Sequence, residues 1–254
     1  GDALPGRDRK RRDGPVVAFG HSLGSSLVMW EPQLAEFEKR FRVLRYDTRG
    51  HGGSAAPPGP YSFETLAADF IGLLDGLSIP RVRFVGLSMG GMIGQTLGLL
   101  HPERIDRLCL CDTAAVTGSE ARAAWKERTG IVGKDGLGPL LEPTMERWFT
   151  PAFLAAGSPM LEKIRRQYLA TPPEGFLGCV AAIAELNLLD RLSGITAPTL
   201  VLGGEEDPGT PVKAARAIHE RIPGSRLRII PGARHFPNVE KHGEFNEAVL
   251  EFLR

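Results

Sequence analysis

The feature of this sequence that most restricts its fold is an alternation of short, mostly apolar runs with longer amphipathic stretches. The short runs are residues 16–19, 43–46, 82–85, 108–111, 199–202 and 227–230. Near-continuous apolar runs of this length are typical of strands buried on both faces of a sheet. The longer stretches, residues 63–77, 92–100, 212–222 and 244–253, repeat their apolar positions at helical spacing. The alternation predicts an α/β fold, with a mainly parallel sheet flanked by helices.

The alternation is interrupted between residues 115 and 195. This stretch carries many Pro and Gly residues, has helical patches and contains no convincing strand. We therefore predict a core formed by residues 1–114 and 196–254, and a helical cap formed by residues 115–195. A cap over the carboxyl edge of a parallel sheet would shape a substrate pocket.

Charge and cysteine content argue against several classes of protein. Because 31 Lys and Arg residues balance 30 Asp and Glu residues, we expect no nucleic-acid or membrane partner. Residues 7–12 form the one basic cluster, which we interpret as a solvated terminus. No apolar stretch is long enough to cross a bilayer, and no secretory leader is recognisable. The three cysteines have no disulfide-framework spacing, so a cytoplasmic location is expected.

Residues 86–90, Gly-Leu-Ser-Met-Gly, carry the strongest chemical signal. They follow one predicted strand and precede a predicted helix, which is the context that a G-x-S-x-G nucleophile elbow requires. The turn lifts the serine hydroxyl to a helix N-terminus, where backbone N–H groups favour negative charge. The pattern predicts a serine hydrolase with Ser88 as its nucleophile.

A serine nucleophile needs a base and an acid, which follow it along the chain in this arrangement. His235 is the histidine that comes directly after the last predicted strand, and we predict it as the general base. Asp207 follows the fifth predicted strand, residues 199–202, and is the predicted acid, which would orient the imidazole. Asp112 ends the fourth predicted strand and is retained as the alternative acid.

Acyl transfer places negative charge on the carbonyl oxygen, so two N–H donors should meet it. The residue after the nucleophile, Met89, is expected to supply one of them. Leu23, in the Gly-His-Ser-Leu-Gly-Ser loop after the first predicted strand, is expected to supply the other. Neither a metal nor a cofactor is expected, since no metal-ligand spacing and no phosphate-binding or dinucleotide motif occurs.

Several segments resemble the 3-oxoadipate enol-lactonases of the α/β-hydrolase superfamily. The similar segments are Ser-Leu-Gly at 22–24, Phe-Arg-Val-Leu-Arg-Tyr-Asp-Thr-Arg-Gly-His-Gly at 41–52, the elbow through residue 94, and Arg-Trp-Phe-Thr-Pro at 147–151. The resemblance runs from about residue 16 to the C-terminus. It implies the α/β-hydrolase fold and hydrolysis of an enol-lactone in the 3-oxoadipate branch of aromatic catabolism. Ser88, Asp207 and His235 would form its triad.

The resemblance also bears on the N-terminus and the pocket. The family opens with a strand hairpin, whereas residues 1–14 are polar and mostly charged, so we expect the first one or two strands to be missing. The implied substrate carries a free carboxylate, which favours a cationic pocket residue. Arg128 is our first candidate and Arg147 the second, with Trp125 and Trp148 as candidate lining residues.

Three functions remain open at this point. The first is the enol-lactonase, which acts on a small-molecule lactone. The second is a broad carboxylesterase or lactonase of the same fold, or a perhydrolase, and His21 keeps it open because the lactonases usually carry Asn there. The third is a non-catalytic receptor for a small ligand. Inertness toward activated esters, together with tight ligand binding, would favour the receptor.

Overall fold

The computed structural model describes residues 14–254 and places six strands in one parallel sheet. The strands are β1 (Val16–Gly20), β2 (Arg42–Arg45), β3 (Val82–Leu87), β4 (Ile105–Cys111), β5 (Thr199–Gly204) and β6 (Arg226–Ile230). Their order across the sheet is β2-β1-β3-β4-β5-β6, and each neighbouring pair is parallel. The predicted parallel α/β sheet is confirmed. Our expectations for the basic cluster and for the family's first strands fall on residues outside the described range.

Helices connect the strands and cover the sheet. The α-helices of the described residues are α1 (Glu31–Phe37), α2 (Phe63–Gly76), α3 (Met89–Leu100), α4 (Ser119–Asp135), α5 (Leu141–Trp148), α6 (Pro151–Ala156), α7 (Pro159–Ala170), α8 (Pro173–Ala184), α9 (Val212–Arg221), α10 (Pro237–Glu240) and α11 (His242–Phe252). One group of helices includes α2 and α3, and a second includes α1 and α11. Within residues 14–254, no helix combines the length and the apolar character that a membrane span needs.

How far each strand is buried depends on its position in the sheet. The central strands are almost wholly buried, as near-continuous apolar runs require. The edge strands β2 and β6 keep partly exposed residues. Helix α3 packs on β1, β3 and β4, so the turn between β3 and α3 is held on a rigid base at the carboxyl edge of the sheet.

Between β4 and β5 the chain leaves the sheet and forms α4 to α8, and we call residues 115–195 the helical insertion. Its two ends are joined by an antiparallel bridge between Val116 and Asn187. Two backbone hydrogen bonds flank the bridge, from Leu188 N to Ala115 O at 2.7 Å and from Thr117 N to Leu186 O at 2.9 Å. The insertion therefore enters and leaves the fold at one place.

Candidate active site

The turn between β3 and α3 holds Ser88 in a conformation that few side chains adopt. Its φ of 57° and ψ of −115° lie outside the regions usual for a non-glycine residue. The strain is supported from β4, because Ser88 N donates to Cys111 O at 2.9 Å and Thr113 Oγ1 donates to Ser88 O at 2.7 Å. The sharp turn lifts the serine out of the sheet at the start of α3.

The glycines of this turn are required by close approach of the backbone. A Cβ added to Gly86 would lie 2.1 Å from Gly90 O, and one added to Gly90 would lie 2.1 Å from Gly20 O. Any larger residue at either position would push the turn apart. The G-x-S-x-G spacing thus follows from the packing of β3, α3 and β1.

The two N–H groups expected to bind the oxyanion are left unused. The N–H groups of Leu23 and Met89 have no hydrogen-bond partner within residues 14–254, whereas those of Ser22 and Gly24 do. Met89 opens α3, where the first N–H groups of a helix lack intrahelical acceptors. Both groups are therefore free to donate to a substrate oxygen.

Asp207 and His235 form a buried pair on the loops that follow β5 and β6. His235 Nδ1 lies 2.7 Å from Asp207 Oδ2, and the side chains are 9% and 0% exposed. Asp207 Oδ1 also accepts from Gly209 N at 2.7 Å and Thr210 N at 3.2 Å. Thr210 Oγ1 donates to Oδ2 at 2.5 Å. Burial alone would raise the pKa of Asp207, but His235 and these hydrogen bonds outweigh it and hold the pKa below its usual value.

Thr210 and Gly209 were not among the residues that we selected from the sequence. Asp-Pro-Gly-Thr at 207–210 is a turn in which the aspartate accepts from the backbone two and three residues ahead. Asp207 was preferred over Glu205 and Glu206 because it precedes Pro208 in a turn; the roles of Gly209 and Thr210 in that turn were the part that the sequence reasoning missed.

Asp112 lies beside this pair and is only 1% exposed. Its Oδ1 accepts from Gly204 N at 2.7 Å, while Oδ2 is buried without a partner within residues 14–254. Burial, and then the charge of Asp207, raise the pKa of Asp112 well above its usual value. Two carboxylates in one buried cluster are rarely both ionised, which favours Asp112 as the protonated member.

We expect Asp112→Asn to raise the melting temperature by about 2–4 °C at pH 7–8, the shift that about 1 kcal/mol produces in a domain of this size. The folded state keeps the Asp112 proton, whereas the unfolded chain releases it above the ordinary carboxyl pKa. Asp112 therefore costs stability as pH rises above that pKa, and Asn removes the cost. Asn also tolerates the φ of 42° found at this position.

The measurement is thermal unfolding of wild type and Asp112→Asn between pH 4 and pH 8. The gain should shrink toward pH 4. Asp190→Asn, which changes an exposed carboxylate paired with Arg221, should show no such trend. A gain that is flat across this range would mean that Asp112 is ionised in the folded protein.

The loop that carries His235 is also attached to the helical insertion. Phe236 N donates to Trp148 O at 3.1 Å, and the Phe236 and Trp148 rings stack with centroids 4.3 Å apart. Glu240 accepts from Thr150 N at 2.7 Å and from Arg234 N at 3.2 Å. The insertion therefore helps to fix the position of the imidazole, a role for Glu240 that the sequence pattern did not reveal.

These groups meet at a cavity of about 160 Å³ between the insertion and the carboxyl edge of the sheet. All of the residues that we predicted to contact substrate, Trp125, Arg128, Arg147 and Trp148, line it together with Ser88, Asp207, His235 and Leu23. No hydrogen bond joins the Ser88 hydroxyl to His235 among the described residues; such contacts often tighten only when substrate binds.

The two arginines of the cavity form no side-chain ion pair among the described residues. The guanidinium groups of Arg128 and Arg147 make no hydrogen bond within residues 14–254 and line the cavity, although the charge of Asp207 acts on Arg147. The Arg128 guanidinium lies 4.9 Å from the centroid of the Trp125 ring, and Arg147 lies on α5 near Gly209. Burial lowers the pKa of Arg147 against the smaller opposing effects of Asp207 and Tyr168, and an arginine remains charged in proteins. The cavity thus offers two cations.

Asp112, Asp207 and His235 present ligand atoms within 4.8 Å of one another, the one such cluster among residues 14–254. The Asp207 oxygens already accept four hydrogen bonds, and burial raises the pKa of Asp112. A cation would have to displace these hydrogen bonds. The cluster is better described as a hydrogen-bonded acid–base group than as a ligand set.

Comparison with known proteins finds that this chain is similar to hydrolases in sequence and fold. A family model described as the alpha/beta hydrolase fold matches residues 15–242. 3-Oxoadipate enol-lactonase 2 of Acinetobacter baylyi is 40% identical over 242 residues, which cover 95% of this chain and 90% of that protein. The crystal structure of the enol-lactonase from Burkholderia xenovorans LB400 has a TM-score of 0.93 and 39% identity, covering 97% and 93% of the two chains. A thermophilic esterase from Thermogutta terrifontis has a TM-score of 0.89 and 32% identity, covering 95% and 90%.

Proposed function

Because the chain belongs to the alpha/beta hydrolase family and is an ester or lactone hydrolase, we propose that it hydrolyses 3-oxoadipate enol-lactone to 3-oxoadipate. Ser88, His235 and Asp207 would act as the catalytic triad. The observation that carries the proposal is that Ser88 and the buried Asp207–His235 pair line one cavity with the guanidinium groups of Arg128 and Arg147. The name of the 40% identical relative supports the choice of lactone.

The proposed reaction proceeds through an acyl-enzyme. Ser88 Oγ attacks the lactone carbonyl carbon while His235 takes the hydroxyl proton, and Asp207 stabilises the resulting imidazolium. The N–H groups of Leu23 and Met89 bind the oxyanion. The ring C–O bond then breaks, and the departing enolate takes the proton from His235. Water, deprotonated by His235, attacks the acyl carbon. The bond between Ser88 Oγ and the acyl carbon then breaks, Ser88 takes the proton back from His235, and the enol of the released acid becomes the ketone.

The carboxylate of the lactone would be bound by Arg128 or Arg147. Both guanidinium groups line the cavity without a side-chain ion pair among the described residues, and a carboxylate would supply one. Trp125 and Trp148 supply apolar surface near the same groups. The helical insertion, residues 115–195, would thus act as a substrate-selecting cap on the core of residues 1–114 and 196–254.

Replacing these arginines should separate anionic from neutral substrates. We expect Arg128→Gln or Arg147→Gln to raise KM for the enol-lactone by about 10- to 100-fold, the cost of losing a charge-assisted hydrogen bond. KM for p-nitrophenyl acetate, which has no carboxylate, should change little. Arg122→Gln is the control, because Arg122 lies on the same helix α4 but bonds to Ala184 O outside the cavity. Equal effects on both substrates would contradict carboxylate binding.

The central test compares steady-state hydrolysis of 3-oxoadipate enol-lactone and p-nitrophenyl acetate by the wild-type protein. We expect kcat/KM for the lactone to exceed that for the ester. If the lactone is turned over no better than the ester, the broad carboxylesterase becomes the function. Absence of turnover of both, with tight binding of a small ligand, would favour a receptor. A role in the 3-oxoadipate branch of aromatic catabolism and a cytoplasmic location belong to this proposal.

A further inference from the structure

Two buried histidines that the proposed reaction does not use lie next to the loop that carries Leu23. His21 follows β1 and His51 lies in the loop after β2; neither is exposed, and their ring centroids are 5.2 Å apart. Burial lowers the pKa of both imidazoles, that of His51 to about 3, against the smaller opposing effects of Asp47 on His21 and of the carbonyls that both rings contact. The lowered pKa values favour neutral rings, in agreement with the backbone N–H groups that donate to each Nε2.

Their hydrogen bonds define which nitrogen of each ring carries the proton. His21 Nε2 accepts from Thr48 N at 2.8 Å, and His51 Nε2 accepts from Gly24 N at 2.9 Å. The Nδ1 atoms face carbonyl oxygens, Ser22 O at 2.8 Å and Arg49 O at 3.3 Å. Because a backbone N–H can only donate, each Nε2 must be unprotonated and each Nδ1 protonated.

These contacts act on the two peptide groups on either side of Leu23. The carbonyl of Ser22 shares a planar trans peptide with the N–H of Leu23, so holding the carbonyl fixes the direction of that N–H. His21 Nδ1 donates to this carbonyl, and so does Ser25 N at 3.2 Å. The next peptide is held through Gly24 N by His51. Leu23 N is the donor left without a partner among the described residues.

We propose that His21 and His51 are positioning residues for the oxyanion hole, which orient the Leu23 N–H by fixing the peptide group on each side of it. The inference rests on the proposed serine mechanism but not on the identity of the lactone. An oxyanion donor contributes only if it is directed in advance at the charge that develops in the transition state. Misdirecting it should lower kcat more than it raises KM.

The test uses a pair of matched variants at position 51 and p-nitrophenyl acetate as substrate. His51→Gln places an amide oxygen at the same number of bonds from Cβ as Nε2, so it can still accept from Gly24 N. His51→Asn is too short to do so. We expect kcat to fall about 10- to 100-fold in His51→Asn, approaching the loss of a whole donor, with KM within about threefold and His51→Gln near wild type.

Position 21 offers a second, independent pair. His21→Asn keeps a donor at the position of Nδ1, within reach of Ser22 O, and should retain activity, whereas His21→Leu should lose it. Either pair decides the proposal if the other does not fold. The control is His219→Gln, which should leave kcat unchanged. His219 lies on α9 and is hydrogen-bonded to Ser225.

A further measurement is the affinity for phenylboronic acid, which forms a tetrahedral adduct on the serine. A residue with a merely structural role would not change this affinity. The adduct should weaken in parallel with kcat in folded His51→Asn or His21→Leu. Unchanged kcat in both folded variants, or lower kcat with unchanged adduct affinity, would overturn the proposal. If the variants lower kcat and adduct affinity as expected but the wild-type protein turns over the lactone poorly, only the lactonase function is refuted. Activity that survives in Ser88→Ala would refute the serine mechanism.

Discussion

Ser88→Ala is expected to lower kcat about 10⁶-fold, the loss seen when a nucleophile that acts as a unit with its base is removed. The residual rate would come from the oxyanion donors and from binding alone. The physical reason lies in the geometry of the turn: only residue 88 is lifted by the β3–α3 turn into the cavity that His235 also lines. Alanine keeps the turn but has no oxygen that can form the acyl-enzyme.

This result is measured by steady-state turnover and by the rapid burst of p-nitrophenol that acyl-enzyme formation releases. Intact-protein mass should show acetyl transfer in wild type and not in Ser88→Ala. Ser193→Ala is the control, because Ser193 is exposed outside the cavity. Retention of the burst in Ser88→Ala would show that a different group attacks the substrate.

Asp207→Asn is expected to lower kcat about 10⁴-fold, as when a triad aspartate is replaced by its amide. The Asp207 carboxylate accepts from His235 Nδ1, which leaves the other imidazole nitrogen free to take the serine proton. An amide can present its NH2 group to Nδ1 instead and so favour the wrong tautomer. It also removes the negative charge that stabilises the imidazolium.

Asp112→Asn is the matched comparison, because it makes the same chemical change a few ångströms away. We expect its kcat to stay within about fivefold of wild type, since a protonated carboxyl already resembles an amide in charge. The two variants are compared by kcat and by melting temperature at one pH. If Asp112→Asn loses activity by orders of magnitude and Asp207→Asn does not, the acid is Asp112.

Much of this fold and site could be predicted because the decisive signals are local. The elbow needs only a strand, two glycines with a serine between them, and a helix, all within about twenty residues. Asp207 and His235 follow strands of a parallel sheet, and the carboxyl ends of such strands meet at one edge. Position after a strand was therefore enough to bring these residues together.

Other parts of the site depend on contacts between segments far apart in the chain. His51 reaches Gly24 across 27 residues, and Glu240 reaches Thr150 across 90. Nothing in the sequence next to these residues specifies their partners. Arg128 and Arg147 were selected through the resemblance, and the packing of α4 and α5 brings both to one cavity, a placement that helical periodicity alone does not determine.

The bridge between Val116 and Asn187 has a consequence for how such a protein could be re-engineered. Since Leu188 N donates to Ala115 O, we expect that the segment between them can be exchanged without altering the strand order of the sheet. Among the contacts that such an exchange must keep, one concerns the general base. A replacement segment must again present a carbonyl where Trp148 now accepts from Phe236, because otherwise it would change the binding pocket and misplace the general base together.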